Sequence, residues 1–374
     1  MYKSRLVTSS RELSEMCERL SNEAVIAVDT EFFWERTFYP VLGLVQIATA
    51  DRECFLVDTV VLDDIIMLGP ILENGKTVKI LHDAPQDLGI LARETQSQPC
   101  NIFDTRTSAG FAGFDSTLSL QNLLKQCLGI DLTKSETRSN WIKRPLTEAQ
   151  LDYALYDVLY LPELREYIIG QCRNSIVLKW MKEENESLSN PETFEEREPR
   201  KMFLRVKGAS RLNKRQLAVL RELAAWRENK ARRRNLPRGR VLSNSVIIGL
   251  AFNVPDSITG MQSVPDFPRK MPDGVIKELI KTVKTGLACP DAECPEAIDK
   301  TADRKKLKQE TKKLHNFIIE QSEKHGIDPA LVASRADMET YISNCLNGHK
   351  SASGKLDTGW RSEIISGILS GAYC

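Results

Sequence analysis

The first part of the chain alternates between two patterns of apolar and polar residues. Short apolar runs predict β-strands, and apolar residues spaced by three or four positions predict amphipathic helices. The first three predicted strands follow one another as hairpins would, whereas the later one alternates with helices. We therefore predict an α/β fold with a mixed sheet flanked by helices. The predicted strands are AVIAVDTEF (24–32), LGLVQIAT (42–49), ECFLVDT (53–59) and TVKILHD (77–83), and the predicted helices are APQDLGILARE (84–94) and residues 118–128.

The pattern from Asn213 onward is helical only. Asn213 and Gln216 form the signature of a capping box at a helix start, and leucines follow at helical spacing. The segment NLPRGRVLSN (235–244) interrupts that helix, and shorter apolar periods continue to Leu287. A second break, GLACPDAECPEAIDKTADRK (286–305), precedes another helical region of similar size. This part of the chain therefore predicts two small all-α domains.

The length of the chain also predicts several domains, because 374 residues are too many for one typical hydrophobic core. We expect an α/β domain at residues 1–182 and an acidic-to-basic linker at 183–206. A first helical domain is expected at 207–288, a second linker at 289–303, and a second helical domain at 304–374.

The net charge of +1 conceals two segments of opposite sign. Residues 183–198 contain seven glutamates and one arginine, whereas residues 201–240 contain fourteen lysines and arginines and two glutamates. A solvated helix face usually mixes both signs, so the basic segment predicts a polyanionic partner. A helix C-terminus favours positive charge, which explains one arginine of the run Arg232, Arg233 and Arg234 but not the excess.

Features of exported and membrane proteins are not evident in the sequence. The N-terminal MYKSRLVTSS has no apolar segment of the kind that secretory signals carry, and the longest apolar runs, such as SVIIGLAF (245–252), are too short to cross a bilayer. Nine cysteines are scattered without a repeating framework. We therefore expect a cytoplasmic protein with reduced cysteines and no membrane partner.

Two carboxylates follow the apolar run of the first predicted strand. In VIAVDTEFFW (25–34), Asp29 and Glu31 come at the end of that run, with nothing basic beside them. Residues two apart in a strand point to the same face, so we expect both carboxylates to project together. Like charges beside an apolar sheet are unfavourable unless a cation joins them. The pair therefore predicts a cation-binding site.

Two further segments carry acidic residues in suitable positions. In ILHDAPQDLGIL (80–91), Asp87 falls in the first turns of a helix that begins at a proline, and Asp83 lies where the helix N-cap is expected. In QLDYALYDVLYLPEL (150–164), Tyr153 and Asp157 lie one helical turn apart on one face.

These carboxylates together predict a chemistry that none of them predicts singly. Four carboxylates from separate segments would bind two divalent ions such as Mg²⁺ or Mn²⁺, because hard cations prefer oxygen ligands. Two such ions, about 3.5–4 Å apart, flank a phosphodiester, where one activates a water and the other stabilises the leaving oxygen. A tyrosine beside a metal-binding aspartate positions the attacking water, since its ordinary pKa near 10 makes it a weak acid–base group. Each motif alone also occurs in ordinary packing, but the combination predicts phosphodiester hydrolysis.

Three stretches resemble the motifs of the DEDD superfamily of exonucleases, and more closely those of the ribonuclease D family. The resemblance implies a ribonuclease H-like fold and its tyrosine branch, in which the tyrosine lies four residues before the last aspartate. KRQLAVLRELAAWRENKARRRNLPRGRVLSNSVIIGLA (214–251) is similar to the HRDC domain, a helical nucleic-acid-binding module, and the final region resembles a second one. The three stretches are VIAVDTEFFWERTFYPVLGLVQIA, KILHDAPQDLGIL and WIKRPLTEAQLDYALYDVLYLPEL. The implied catalytic residues are Asp29, Glu31, Asp87, Tyr153 and Asp157, and the four carboxylates among them are the implied metal ligands.

The resemblance implies stepwise 3′→5′ hydrolysis of RNA with release of 5′-mononucleotides. It also implies two divalent cations, no organic cofactor, and RNA 3′ ends as partners, with the maturation of tRNA precursors as the characteristic task. Two other functions stay open. A DNA 3′→5′ exonuclease of proofreading or repair type would share the metal chemistry, and no motif reads a 2′-hydroxyl. An inactive nuclease-derived RNA-binding module is the other, although such a module would not require all five catalytic residues.

Candidate substrate-binding residues lie beside the motifs. Phe32 either stacks on a terminal base or packs in the core. His82 either contacts a phosphate or the terminal sugar, or is a half-buried structural histidine. Asp104, between a predicted strand and a helix, is expected to be an N-cap. The substrate-binding candidates are Phe32, His82, Arg232, Arg233 and Arg234.

Overall fold

The computed structural model describes residues 3–132, 136, 139–194, 196–295, 304–346 and 354–369. Packing divides the chain into two compact units. The first contains the described residues within 1–33, 42–195 and 301–374, and the second contains those within 34–41 and 196–300. Residues 296–303 of the predicted linker 289–303, and Glu195 of the acidic segment, lie outside the described residues.

The first unit contains a six-stranded mixed sheet in the order β1-β4-β3-β2-β5-β6. β3 and β4 are antiparallel, whereas β1 pairs with β4, β2 with β5, and β5 with β6 in parallel. The predicted mixed sheet flanked by helices is therefore confirmed. Its strands are β1 (Lys3–Val7), β2 (Val25–Phe33), β3 (Val41–Thr49), β4 (Glu53–Asp58), β5 (Val78–Leu81) and β6 (Ile102–Asp104).

Strand β1 was not predicted from the sequence. Four of its five residues are exposed, because it lies at the edge of the sheet and pairs only with β4 among the described strands. An exposed edge strand lacks the apolar run or alternation from which strands are predicted.

Helices account for the remaining regular structure of both units. The predicted helix across residues 150–164 is two helices, because the first ends before Tyr160 and the next begins at Leu161, with Pro162 in its first turn. The α-helices are α1 (Ser10–Leu20), α2 (Gly69–Leu72), α3 (Pro85–Thr95), α4 (Thr105–Phe111), α5 (Leu120–Leu128), α6 (Glu148–Leu159), α7 (Leu161–Gln171), α8 (Ser175–Ser187), α9 (Lys214–Arg234), α10 (Arg238–Val241), α11 (Asn244–Asn253), α12 (Ile258–Gln262), α13 (Asp273–Leu287), α14 (Arg304–His325), α15 (Arg335–Leu346) and α16 (Gly359–Leu369). Short 3₁₀ helices span Ile66–Leu68, Pro191–Thr193, Pro199–Arg205, Ala209–Arg211, Asp291–Glu293 and Pro329–Leu331.

The C-terminal helices share a hydrophobic core with the α/β part of the first unit. Trp360 of α16 stacks on Trp180 of α8 with ring centroids 5.8 Å apart, and it meets the ring of Phe111 edge-on at 5.0 Å. Leu314 of α14 is buried in the same cluster. Where they are described, residues 304–374 therefore pack with residues 1–182 in one unit. The domain boundaries expected from the sequence stay a prediction.

The acidic segment is more ordered than a linker. Residues 183–187 continue α8, and the 3₁₀ helices at Pro191–Thr193 and Pro199–Arg205 follow. Glu184 forms a two-pronged ion pair with Arg361 of α16, both contacts at 2.6 Å, and Glu183 accepts the backbone N–H of Trp360. The sequence pattern missed this helical end because the glutamates bind residues far along the chain.

The regular structure of the second unit within residues 196–295 is helical, as predicted for the chain from Asn213 onward. The predicted capping box is present: Asn213 caps α9, and Gln216 returns its side chain to the Asn213 backbone. Buried apolar side chains of α9, α11 and α13 form one core, including Leu220, Ile247 and Leu279.

Two general expectations can be compared with the described residues. The eight cysteines within them form no disulfide bond with one another. None of the helices that the structure describes combines the length and the apolar character needed to span a bilayer.

Candidate active site

Asp29 and Glu31 lie on β2, near the middle of the sheet. The strand does not end at Asp29 but continues to Phe33, so the alternation of side chains is kept through both residues. Both carboxylates therefore project from the same face, as the spacing predicted. Apolar residues Ile26, Ala27 and Val28 anchor this strand in the core.

Helix α6 brings a third carboxylate to the pair. Its start is defined by a capping box between Thr147 and Gln150, which sets the rotation of the helix. Asp157 then places a carboxylate oxygen within 4.8 Å of oxygens from both Asp29 and Glu31. Tyr153, one turn earlier, donates its hydroxyl to Asp157.

Asp87 lines the same cleft but stands apart from these three carboxylates. It lies in the first turn of α3, which begins at Pro85, and only 7% of its surface is exposed. The Thr30 hydroxyl donates a short hydrogen bond to Asp87 Oδ1. The cleft has a volume of about 470 Å³, and all five predicted catalytic residues line it.

Burial makes the ionised state of these carboxyl groups costly. It raises the pKa of Asp29 well above its ordinary value, and the neighbouring carboxylates raise it further. Burial, with repulsion from other carboxylates, raises the pKa of Glu31 to about 9. It also raises the pKa of Asp87 and of Asp157 to about 7, although hydrogen bonds from Thr30 and Tyr153 oppose the shifts. A bound cation would relieve this cost, so the site fits divalent metal ions.

Tyr153 is held as a neutral phenol. Burial raises its pKa, and the charges of Asp157, Glu31 and Asp29 raise it further. The protonated hydroxyl is therefore available as a hydrogen-bond donor to Asp157, and the catalytic role of the tyrosine stays a prediction.

His82 lines the cleft and is held by the protein through both ring nitrogens. Nδ1 lies 3.0 Å from Thr105 Oγ1, and Nε2 lies 3.2 Å from the backbone oxygen of Leu118. Burial lowers the pKa of His82 to about 4, so the ring is neutral at physiological pH. It therefore supplies no positive charge for a phosphate, and its role in substrate binding stays a prediction.

Asp83 is not the N-cap of α3, contrary to the sequence interpretation. The N-cap is Ala84, which makes no side-chain cap, and Asp83 has a left-handed φ of 67°. Asp104, as predicted, caps α4, and its carboxylate also accepts the backbone N–H groups of Asp83 and Ala84. This turn directs the Asp83 carboxylate to an ion pair with Arg106 at the cleft.

Phe32 packs in part against the core, and its stacking on a terminal base stays a prediction. Its side chain lines the cleft, and it is also partly buried against the core on one side of the sheet. It can present an aromatic surface to a base without leaving that core.

The three arginines of the basic run belong to the second unit and differ in their surroundings. Arg232 pairs with Glu196 at 2.9 Å and with Glu228 at 3.2 Å. Arg233 and Arg234 are exposed at the end of α9. Part of the basic excess is thus neutralised within the unit, and the role of these arginines in binding RNA stays a prediction.

The cleft also contains residues that the sequence analysis missed. Thr30 contacts Asp87 and Arg106 contacts Asp83, but a single threonine or arginine carries no sequence signal of its own. Gln86 lies between Asp83 and Asp87, which the sequence analysis named, and Thr117 and Ser119 come from the turn before α5. Only their position on the cleft wall marks them as functional candidates.

Comparison with known proteins gives a consistent result. A family model described as 3′-5′ exonuclease matches residues 4–171, and an HRDC domain model matches residues 216–283. Ribonuclease D from Desulfotalea psychrophila is 34% identical over 98% of this chain and 97% of its own length. Ribonuclease D from a Shewanella species is 30% identical over 97% of this chain and 92% of its own.

Among solved structures, the chain is similar to that of Escherichia coli RNase D, described as an exoribonuclease involved in structured RNA processing. The TM-score is 0.87 at 28% identity, and the similarity covers 99% of this chain and 98% of the other. The similarity therefore extends over both units and over the helices that follow the HRDC match.

Proposed function

The chain belongs to the ribonuclease D family, and from this premise we propose that it removes nucleotides one at a time from the 3′ end of RNA, releasing 5′-mononucleotides. The observation that carries the proposal is the convergence of the half-buried Asp29, Glu31 and Asp157, with Asp87 and Tyr153 in the same cleft. Hydrolysis of a phosphodiester needs positive charge beside the reacting oxygens, and this cluster of carboxylates can bind the cations that supply that charge.

The four carboxylates would hold two divalent ions. Arg106 is the only lysine or arginine on the described wall of the cleft, and it is paired with Asp83, so the negative charge of the cluster is not balanced by protein cations. The oxygen-only donor set favours Mg²⁺ or Mn²⁺. When bound, two such ions would stabilise charge on both the attacking and the leaving oxygen.

The side chains of the protein have separate tasks in this proposal. Tyr153 keeps its proton and donates a hydrogen bond to Asp157, which leaves the lone pairs of the tyrosine oxygen free to accept a hydrogen bond from the attacking water. Phe32 offers an aromatic face to the terminal base, and His82 contacts the substrate as a neutral ring. Arg233 and Arg234, exposed on α9, bind phosphates of the RNA.

The expected natural substrates are structured RNAs with a single-stranded 3′ end, and tRNA precursors in particular. Support comes from the family and from the HRDC match, since such modules bind nucleic acid. The cytoplasm stays the expected location.

The function is tested with single-stranded RNA and DNA of matching sequence, labelled at the 5′ end. The full chain is incubated with Mg²⁺, Mn²⁺ or EDTA, with Asp157→Asn prepared in parallel as a control for contaminating nucleases. We expect a ladder shortened from the 3′ end on RNA, mononucleotides as product, and no reaction in EDTA. Equal or faster degradation of DNA would support the proofreading or repair alternative. No metal-dependent degradation of either would support an inactive binding module.

A further inference from the structure

A second cavity lies among the C-terminal helices of the first unit. It has a volume of about 520 Å³ and is enclosed by α14, α15 and the turn between them. Ile318, Ala333 and Met338 form its apolar floor, and each is at least nine-tenths buried. Small-molecule sites in proteins have this size and this apolar character.

The rim of the cavity on α14 is basic. Lys308, Lys312 and His315 follow one another at helical spacing, so they share one face of the helix. Neither lysine forms an ion pair with any residue that the structure describes, and both are exposed. Two free ammonium groups one turn apart form a site for an anion.

The carboxylates that face the cavity do not neutralise these lysines. Asp328 accepts the backbone N–H groups of Ser116 and Ala330, at 2.7 Å and 3.0 Å. Glu339 pairs with Arg335 at 2.8 Å on the α15 side. Both carboxylates therefore have other partners, and the positive charges of Lys308 and Lys312 are available to an anionic ligand.

A buried hydroxyl also lines the cavity without a protein partner. Thr311 is 7% exposed, and its Oγ1 meets no hydrogen-bond partner among the described residues. An unpaired buried polar atom is costly, of the order of 1–3 kcal/mol, unless a ligand or water completes it. Thr311 lies between Lys308 and Lys312 on the helix, so the hydroxyl and the two charges face one ligand.

We propose that this cavity is a second nucleotide-binding site, which holds a base against the apolar floor and a phosphate at Lys308 and Lys312. A nucleotide matches the cavity because it contains both a base and a phosphate. The base is a flat ring that can hydrogen-bond to Thr311, and the phosphate is anionic. The proposal rests on the proposed function, which makes nucleotides available both as units of the RNA strand and as free 5′-monophosphate products.

A hydrogen bond connects the cavity to the segment that borders the active-site cleft. Asp328, at the cavity, holds the backbone of Ser116, and the next residues, Thr117 and Leu118, line the cleft. The Leu118 backbone oxygen in turn contacts His82. A nucleotide in the cavity would therefore lie beside Asp328, one hydrogen bond away from the segment that forms one side of the catalytic cleft.

The test measures binding to the full-length protein in EDTA, with a nucleoside 5′-monophosphate and a single-stranded oligoribonucleotide as separate probes. Lys308→Ser with Lys312→Ser should raise the Kd of at least one probe about tenfold and lower the slope of log K against log salt for the strand by roughly 0.7. Thr311→Val should weaken the same probe while the melting temperature of the free protein holds or rises. Ala330→Trp, at an exposed position, should fill the mouth and block binding with every charge retained.

The matched control is Lys313→Ser with Lys324→Ser, which removes the same charge from α14 at positions outside the cavity. Loss of monophosphate binding in the cavity variants but not in the control identifies the free product as ligand. Loss of strand binding alone identifies a nucleotide within RNA. If the cavity variants bind both probes like the control, the proposal is overturned, and a peptide or other ligand must be sought.

Failure of the proposed function is distinguishable from failure of this inference. Cleavage of a dinucleotide, which is too short to occupy both sites, should be unchanged in the cavity variants. Normal dinucleotide cleavage with unaltered binding overturns the second site alone. Nucleotide binding at the cavity without any RNA cleavage by the wild-type chain overturns the proposed function alone.

Discussion

The hydroxyl of Thr30 on β2 donates a hydrogen bond to the Asp87 carboxylate on α3. Thr30 is on the strand that carries Asp29 and Glu31, so this bond ties the two acidic segments together. It also offsets part of the rise that burial causes in the pKa of Asp87. Thr30 is therefore a positioning residue for the separate fourth carboxylate.

Replacement of Thr30 tests this role. Thr30→Val keeps the shape but removes the donor, and we expect metal activation to require about 10–100-fold more Mn²⁺, as for other residues that orient a metal ligand. Thr30→Ser restores the hydroxyl and should restore the activation constant. Equal Mn²⁺ titration curves for the valine and serine variants would show that the bond does not orient Asp87.

Removal of a carboxylate from the cluster should separate activity from stability. Asp29→Asn or Asp157→Asn should abolish nucleotide release, because each removes a proposed metal ligand. In EDTA the melting temperature should hold or rise, since each change also removes a half-buried carboxyl group whose ionised form is repelled by its neighbours. Asp63→Asn, at an exposed position outside the cleft, is the matched control. Near-normal turnover of Asp157→Asn in Mg²⁺ would contradict the two-metal assignment.

Tyr153→Phe should reduce turnover without preventing metal binding. The change removes the hydroxyl that donates to Asp157 and leaves all four carboxylates in place. Positioning and acid–base groups typically contribute about 10²–10⁴-fold, and we expect a loss of kcat in that range. Calorimetric titration with Mn²⁺ provides the second measurement. If metal affinity fell as far as in Asp157→Asn, the tyrosine would be acting on the metal site itself.

The arginines at the end of α9 should differ in effect although they are consecutive. Arg233→Ser with Arg234→Ser should weaken RNA binding and lower the salt slope by roughly 0.7 per lost phosphate contact, with little change in stability. Arg232→Ser should instead lower the melting temperature, because it leaves the buried Glu228 with Arg238 as its remaining partner. RNA titrations across a salt series, with thermal melts, measure both effects. An unchanged salt slope for the double variant would remove these arginines from the RNA-binding surface.

Glu184→Gln should destabilise the first unit by about 3 kcal/mol at neutral pH, because it leaves the nearly buried Arg361 without its countercharge. Although burial opposes it, pairing with Arg361 lowers the pKa of Glu184 in the folded protein. The stabilisation is therefore present above the ordinary carboxyl pKa near 4.3 and is lost as pH falls through the lower folded-state pKa.

Urea denaturation of the wild type and Glu184→Gln at neutral and acid pH measures this contribution. Glu186→Gln on the same helix is the control, because its pair with Lys182 is exposed and spans 3.7 Å, and we expect less than about 0.5 kcal/mol. A difference between wild type and Glu184→Gln that stayed constant down to pH 3 would show that the ion pair is not its source.

Local periodicity in the sequence was sufficient to predict most of the site. The alternation in β2 put Asp29 and Glu31 on one face, and the helical repeat in α6 put Tyr153 beside Asp157. Both relations depend only on neighbours within one element, so they survive any tertiary arrangement. The motif order then identified the family, which the comparisons confirm.

Other features of the site depended on residues far apart in the chain. The bond from Thr30 to Asp87, the ion pair from Arg106 to Asp83 and the two contacts that hold the His82 ring each join separate elements. No spacing rule predicts such contacts, and the N-cap interpretation of Asp83 was wrong because the turn after β5 directs its side chain to Arg106.

The sequence by itself determined the sheet type, the five residues expected at the catalytic centre and the helical character of the C-terminal part, because each is encoded in local periodicity or motif order. Tertiary structure alone decided that the C-terminal helices complete the core of the first unit, where Trp360 packs on Trp180 and Arg361 binds Glu184. The linker predicted from the sequence suggests that the chain can be truncated near residue 200. Such a truncation would remove Trp360 and Arg361, the partners of Trp180 and Glu184. Burial and pairing across distant segments arise only when the chain has folded, and they set both the pKa values in the cleft and the division of the chain into units.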